Sequence, residues 1–239
     1  MKIEANLMHF RDLSRQISES ADREVVIDRC MGQSFIGAGL KDKEITINGI
    51  PGNALGAYLN GAEITVNGNA QDATGDTMNE GKIIIHGSSG DATGYAMRGG
   101  KIFVKNGVGY RAGIHMKAYQ DKLPVLVVGG TAGSFLGEYQ AGGVIVVLGL
   151  DQPDGDPPIG NFCATGMHGG KIFLRCEKAP ENLPGQVMAD LCEDTAEIAP
   201  LVTEYCRLFG GNAAEILQSS FYVLTPNTKN PYKQLYTQN

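Results

Sequence analysis

Residues 45–101 read ITINGIPGNALGAYLNGAE, ITVNGNAQDATGDTMNEGK and IIIHGSSGDATGYAMRGGK, three consecutive segments of 19 residues each. Each segment opens with aliphatic, mostly β-branched residues at alternate positions and continues with glycine and other small residues. Alternating aliphatic residues predict short strands rather than helices. A unit this short cannot bury its own apolar face, so a fixed period of this size predicts copies stacked in register.

The same period extends on both sides of these segments. Upstream, Val26 is predicted at the first strand position. Downstream, the strand positions are predicted at Ile102 and Val104, Val125 and Val127, Val144 and Val146, and Ile172 and Leu174. Insertions before Pro124 and over residues 151–158 should project from the stack. We therefore predict a mainly β protein, a right-handed parallel β-helix of about seven rungs.

The glycines recur in the same register. The pattern G-x-x-G-x-x-x-G occurs three times, and single glycines share its columns elsewhere. Tight corners need a positive φ or a close approach of two backbones, and glycine permits both. We therefore assign a structural role in turns to Gly49, Gly52, Gly56, Gly68, Gly75, Gly87, Gly90, Gly94, Gly130, Gly133 and Gly137.

The periodic region is flanked by segments of a different kind. Residues 6–20 and 194–208 each place apolar side chains on one helical face. Residues 213–219 could form one more short helix, and residues 221–239 should be extended. We predict a single domain over 1–239, with a helical cap at 1–24, the β-helix at 25–176, and a helical extension and tail at 177–239. A stack of repeats needs such caps because its end strands are unpaired.

Composition limits the class of function. The net charge is −6 and no basic stripe is present, which argues against nucleic acid as a partner. The longest apolar run, 144–148, is far from the ~20 residues that cross a bilayer. The five cysteines form no C-x-x-C motif, so a metal site in this chain is not expected. Their odd number and the absence of a signal peptide favour the cytoplasm.

No catalytic constellation emerges from the residues. GVGYRAG at 107–113 lacks the glycine spacing of a dinucleotide-binding motif. The periodic Gly-Lys pairs at Lys82, Lys101 and Lys171 lack the hydroxyl residue of a P-loop, so these lysines are predicted to be solvated at the corners of the turns. The column Asn53, Asp72 and Asp91 predicts a side-chain ladder or a solvated edge rather than a catalytic pair.

Three residues beside the irregular repeats remain candidates for contact with a partner, although a purely structural role is the alternative for each. They are Arg111, His115 and His168. The sequence predicts no catalytic, cofactor-binding or metal-ligating residue.

The repeat glycines together with RAGIHMKAY (111–119), GGTAGSFLGEYQAGG (129–143) and GMHGGKIFLR (166–175) resemble the GXGXG domain of glutamate synthase, over roughly residues 7–176. That resemblance implies a right-handed β-helix that supports glutamate biosynthesis, and hence nitrogen metabolism, without an active site of its own. The chain starts Met1-Lys2 and lacks an N-terminal nucleophilic cysteine, so it looks like the separately encoded, archaeal-type form.

The resemblance implies a scaffold within an oxidoreductase complex. The implied partners are a glutaminase-type amidotransferase subunit and a synthase subunit, and FMN and iron–sulfur clusters are expected on the latter. Self-association of this chain into a homo-oligomer is left open by the sequence. GDATGYAMRGGKIFV (90–104) also resembles the β-helix subunit of formylmethanofuran dehydrogenase, which is the alternative. An autonomous carbohydrate-active β-helix is less favoured, because the strand face shows Thr46, Thr65, Ile84 and Phe103 rather than clustered charges.

Overall fold

The computed structural model describes residues 1–152 and 155–227. These residues form a mainly β structure with one 11-stranded, mostly parallel sheet that does not close on itself. Strands β1 to β9 lie in chain order and pair in parallel, and β11 and then β10 complete one edge in antiparallel pairing. The predicted extended tail beyond residue 227, and Pro153 in the last insertion, lie outside the described residues.

The strands are flanked by one helix near the N-terminus and two near the C-terminus. In chain order they are β1 Lys2–Glu4, α1 Phe10–Glu19, β2 Glu24–Met31, β3 Glu44–Ile50, β4 Asn60–Asn67, β5 Glu80–Ile85, β6 Lys101–Val104, β7 Val125–Val128, β8 Ala141–Val147, β9 Gly169–Arg175, β10 Val187–Leu191, α2 Ala199–Phe209, α3 Ala213–Leu217 and β11 Phe221–Pro226.

The three quoted segments stack in the predicted register. Ile45 pairs with Ile64, and Ile64 pairs with Ile83. These side chains are buried against residues of the turns, such as Leu59 and Met78, in one continuous apolar core. The core therefore lies between the sheet and the turn segments that follow each strand, as the repeat pattern predicts.

The predicted register is wrong by one residue at three strands. Val25, not Val26, pairs with Ile45, and the extra residue is taken up by an irregularity between Ile27 and Cys30. In β7 and β8 the inward positions are Leu126 and Val128, and Ile145 and Val147. Both strands are apolar at every position, so alternation could not distinguish their two faces.

The outward faces of the later strands form a second apolar core. Val127 and Val146 pack there with Phe103, beneath α2. The α2 side chains that cover them are Ile198 at its N-cap, Leu201, Val202 and Tyr205. Outward positions of the early strands are threonines, such as Thr46 and Thr65, and are only half-buried. The change from threonine to large apolar residues along one column marks where the helix lies.

The glycines serve the turns in two ways. A Cβ at Gly52 would lie 2.2 Å from the carbonyl oxygen of Gly32, so only glycine allows the two repeats to approach this closely. Gly56 has φ +63°, and so do its alternate neighbours Ala54 and Tyr58, at +60° and +58°. Three left-handed residues at alternate positions thus build each turn, and many of them are not glycine, which the glycine pattern alone did not reveal.

The two ends contain strands that the 19-residue period does not predict, although β11 lies in the segment 221–239 that was predicted to be extended. β1 extends the sheet by pairing with β2, so the N-terminal cap is a strand followed by α1 rather than a helix alone. At the other end, β11 pairs with both β9 and β10. The segment 177–227 therefore contributes two strands to the sheet besides α2 and α3. Short antiparallel strands outside a 19-residue period give no periodic signal.

The corner lysines are not simply solvated, contrary to the prediction. Lys82 and Lys101 lie one above the other in paired strands, and both contact the carboxylate of Glu204 on α2, at 2.6 and 2.8 Å. Lys171 pairs similarly with Glu197. Burial alone would raise the pKa of Glu204, but hydrogen bonds from Lys101 and Lys82 outweigh it, so that pKa lies below its ordinary value.

Ile83→Asp should unfold the protein at a much lower temperature, because Ile83 is fully buried in the inner core and an unpaired carboxylate there would cost ~3–5 kcal/mol. Thr65→Asp, at a half-buried outward position, is the matched control and should change the melting temperature far less. Thermal denaturation followed by circular dichroism measures both. Equal effects of the two substitutions would contradict the assigned register.

Glu204→Gln should destabilise the protein at pH 7, since it leaves Lys82 and Lys101 without their shared carboxylate. Because the folded-state pKa of Glu204 is depressed, its contribution is complete above its ordinary pKa of 4.5 and is lost as the pH falls through the depressed value. The gap in melting temperature between wild type and Glu204→Gln should therefore shrink below pH 4.5. A gap that is constant from pH 7 to pH 3 would contradict the ion pairs.

Candidate functional site

The exposed aromatic residues are concentrated on one surface. We define the turn surface as the outward side chains of the turns that follow the strands. It carries six of the seven exposed Phe and Tyr side chains of the described chain, and the seventh, Tyr119, lies in the adjacent insertion. The six are Phe35, Tyr58, Tyr95, Tyr110, Tyr139 and Phe162. Single exposed apolar side chains scattered over a surface are normal, whereas aromatic side chains grouped on one face are typical of an interaction site.

One cluster on the turn surface combines aromatic rings with a charged pair. The rings of Phe135 and Phe162 stack with centroids 5.0 Å apart. The guanidinium of Arg111 lies 5.2 Å from the Phe135 centroid, and its Nε is 3.2 Å from Oε2 of Glu138. The predicted contact residue Arg111 is therefore held in a fixed orientation by a ring and a carboxylate, with more than half of its side chain still exposed.

His115 lies in a second cluster on the same surface. Its ring stacks on Tyr139 at 5.2 Å and meets the edge of Tyr95 at 5.9 Å. His115 is exposed and, like Arg111, has a positive φ. The structure thus brings these two of the three predicted contact residues onto one surface.

His168 lies at a different position in its repeat. It is half-buried, and its Nδ1 lies 3.1 Å from the carbonyl oxygen of Gly166. The structural interpretation of His168 is therefore supported by a contact within its own turn, and its role in partner contact stays a prediction.

The side chains of the turn surface occupy a costly backbone conformation. Arg111, His115, Phe135 and Tyr139 have φ between +53° and +64°. A left-handed conformation costs a residue with a side chain roughly 1–2 kcal/mol. Hydrogen bonds between repeats fix it, since Arg111 N donates to Ser134 O and His115 N to Glu138 O. The turns therefore present their side chains on a rigid backbone.

The polar column beside the aromatic clusters is a ladder. Asn53 Oδ1 accepts from the backbone N–H of Asp72 at 3.3 Å, and Asp72 Oδ1 accepts from that of Asp91 at 2.8 Å. Asp91 Oδ1 in turn accepts from Tyr110 N. Each of these side chains therefore binds the backbone of the next repeat, which is the ladder predicted for this column rather than a solvated edge.

Two of the buried cysteines are held as thiols. Burial raises the pKa of the Cys163 thiol to about 12 and that of Cys176 to about 11. A thiol must ionise to act as a nucleophile or a metal ligand, so both are inert at neutral pH. Within residues 1–152 and 155–227, no group of three or more His, Cys, Asp and Glu side chains could hold a metal ion. None of the helices described is long and apolar enough to cross a membrane.

Sequence reasoning missed the aromatic clusters because insertions separate their members. Phe135 and Phe162 occupy the turn position of Ala54 and Ala73, two residues before the glycine or alanine at the turn centre. Aligning the turns by Gly113, Gly137 and Ala164 would have shown Arg111, Phe135 and Phe162 in one column. The signal is present in the sequence, but only after the insertions are removed.

Stacked parallel strands joined by glycine-rich turns define a repeat protein. The chain belongs to the GXGXG motif family, whose family model matches residues 11–228. It is 45% identical over 253 aligned positions to the uncharacterized protein MJ1350 of Methanocaldococcus jannaschii, covering 98% of this chain and 95% of that protein.

A solved structure shares the fold. A chain of the formyltransferase/hydrolase complex FhcABCD from Methylorubrum extorquens, determined by X-ray crystallography in complex with methylofuran, matches with a TM-score of 0.64. The match covers 87% of this chain and 75% of the other, at 21% sequence identity. The architecture of this chain is therefore also found in a component of a multi-subunit complex.

Proposed function

We propose that this protein is a non-catalytic scaffold subunit of a cytoplasmic, heteromeric enzyme complex and that the turn surface binds a partner subunit. The observation that carries the proposal is the set of exposed Phe, Tyr and Arg side chains on one rigid surface. Tyr, Phe and Arg are enriched in protein interfaces, and Tyr and Arg in the residues that dominate binding energy. Arg111 and His115 are the proposed central contacts.

We also infer that the repeats wind as a right-handed parallel β-helix of about seven rungs, as the period and the handedness of parallel crossovers predict. Parallel pairing of β1 to β9 and hydrogen bonds between successive turns support this interpretation. A rigid stack of this kind can hold two partners at a fixed separation, which is what a scaffold requires.

Two complexes are candidates for the assembly. The fold comparison favours a complex of the formylmethanofuran dehydrogenase type, because the structural neighbour belongs to a formyltransferase/hydrolase complex. The phrases at 111–119, 129–143 and 166–175 support a glutamate synthase, with a glutaminase-type subunit and a synthase subunit that carries FMN and iron–sulfur clusters. In both, the chemistry belongs to the partners and this chain supplies the docking surface.

Affinity purification from the native host should recover partner subunits with the tagged chain, and mass spectrometry with a visible spectrum of the eluate distinguishes the candidates. Formyltransferase, hydrolase or molybdenum- or tungsten-containing subunits would identify the first assembly. A glutaminase-like chain with a yellow-brown flavin and iron–sulfur subunit would identify the second. Recovery of the chain alone, under gentle and crosslinked conditions, would contradict the scaffold function.

Phe162→Ser combined with Tyr139→Ser should weaken partner binding by about tenfold or more, because aromatic anchors dominate interface energies. Both side chains are exposed, so the melting temperature should change little. Leu191→Ser, at an exposed position on β10, is the control for removal of apolar surface and should bind normally. Biolayer interferometry against the purified partners measures the dissociation constants. Normal binding by the double variant would move the interface away from the turn surface.

A further inference from the structure

Two cations, Arg98 and Lys117, occupy the same position in consecutive repeats. They lie 19 residues apart, and each backbone N–H donates to the repeat before it, Arg98 to Met78 O and Lys117 to Met97 O. Consecutive repeats of a parallel stack lie ~4.8 Å apart. Like charges at such neighbouring positions repel each other and destabilise the fold, unless an anion lies between them.

The surroundings of these two cations contain no such anion. Arg98 and Lys117 line a cavity of about 320 Å³ together with Ala96, His115, Ala118 and Tyr119. No aspartate or glutamate is among the lining residues, and within the described chain neither cation forms an ion pair. Of the acids in adjoining segments, Glu138 pairs with Arg111 and Glu80 with Lys122, while Asp121 is exposed and pairs with neither cation within the described residues.

The same protein shows how such a stack is neutralised. Lys82 and Lys101 also lie at matching positions of consecutive repeats, and the carboxylate of Glu204 bridges them at 2.6 and 2.8 Å. There α2, from the far end of the chain, supplies the anion. Arg98 and Lys117 have the same 19-residue spacing as Lys82 and Lys101, but no acid bridges them in the part of the chain that the structure describes.

We propose that an aspartate or glutamate side chain of a partner subunit binds between Arg98 and Lys117, as Glu204 does between Lys82 and Lys101. This inference rests on the proposed function and specifies in addition that the partner's contact residue at this site is acidic. The cavity adjoins the aromatic cluster through His115, so both lie within one interface. Residues 228–239 contain no aspartate or glutamate.

The chemistry of the cavity fits a carboxylate. A guanidinium offers two parallel N–H donors and an ammonium adds a compact charge, while the Tyr119 hydroxyl can donate a further hydrogen bond. Charge-assisted hydrogen bonds of this kind are the strong ones at an interface. A chain with a net charge of −6 repels an acidic partner in general, so a local cationic site fixes where that partner's acid can bind.

The test compares Arg98→Gln and Lys117→Gln, singly and together, with Lys41→Gln. Lys41 is an exposed cation at the same repeat position, and its neighbour in the next repeat is the neutral Asn60. The partner subunits recovered with the wild-type chain are the binding probe. The double variant should bind them at least about tenfold more weakly, with a shallower dependence of affinity on salt, whereas Lys41→Gln should bind normally.

A second readout needs no partner. In the isolated full-length chain, Arg98→Gln removes a repulsion, so the melting temperature should rise by about 1–3 °C, and Lys41→Gln should leave it unchanged. A variant that is more stable than wild type as an isolated chain, yet binds the partner more weakly, identifies a cation that serves binding. A structural role would instead lower both.

Several outcomes would overturn the proposal. Wild-type affinity in the double variant would show that the partner does not contact this cavity, while the scaffold function would stand. Failure of the wild-type chain to recover any partner would remove the proposed function itself. Micromolar binding of inorganic phosphate to the isolated wild-type chain, lost in the double variant, would assign the cavity to a free anion instead.

Discussion

The backbone hydrogen bonds between consecutive repeats determine most of this structure. Once Ile45, Ile64 and Ile83 are paired in register, every other position of the repeat is also placed above its counterpart. Each side chain therefore has the side chain at the same position of the next repeat about 5 Å away on each side, and the two must be compatible. Aliphatic columns gain from this arrangement by burial, which is why the inner core is continuous from one end to the other.

Polar columns must satisfy the same constraint by other means. The Asn53–Asp72–Asp91 column satisfies it because each side chain accepts from the backbone of the next repeat. Asn67 donates one amide-to-amide hydrogen bond to Asn48, and Asn48 donates in turn to the carboxylate of Asp28, because an asparagine side chain both donates and accepts. Two stacked cations cannot hydrogen-bond each other, since a lysine or arginine side chain only donates. For Lys82 and Lys101 carboxylates offset the repulsion, chiefly that of Glu204 on α2, and Glu63 of the preceding repeat also lies 3.9 Å from Lys82.

The sequence predicted the features that repeat and missed those that do not. The strand columns of residues 45–101 and the close-approach glycines follow from a fixed period, so they were within reach. The inward face of β7 and β8 was not, because VLVV and VIVV are apolar on both sides and only the position of α2 distinguishes them. The Phe135–Phe162 stack was hidden because an insertion separates the two turns, so its column appears only after the insertion is removed. The Glu204 bridge joins residues more than 100 positions apart, where one sequence carries no pairing signal.

The two-sided burial of β7 and β8 affects how the protein can be made in the cell. Their outward valines are covered by side chains of α2, which begins at Ala199. During synthesis the stack up to β8 can form while that helix is still inside the ribosome, and for that interval a strip of valine and phenylalanine faces solvent. Completion of the chain therefore competes with self-association of the unfinished one. The order of the elements along the chain therefore exposes this apolar strip in the nascent chain and covers it in the finished protein.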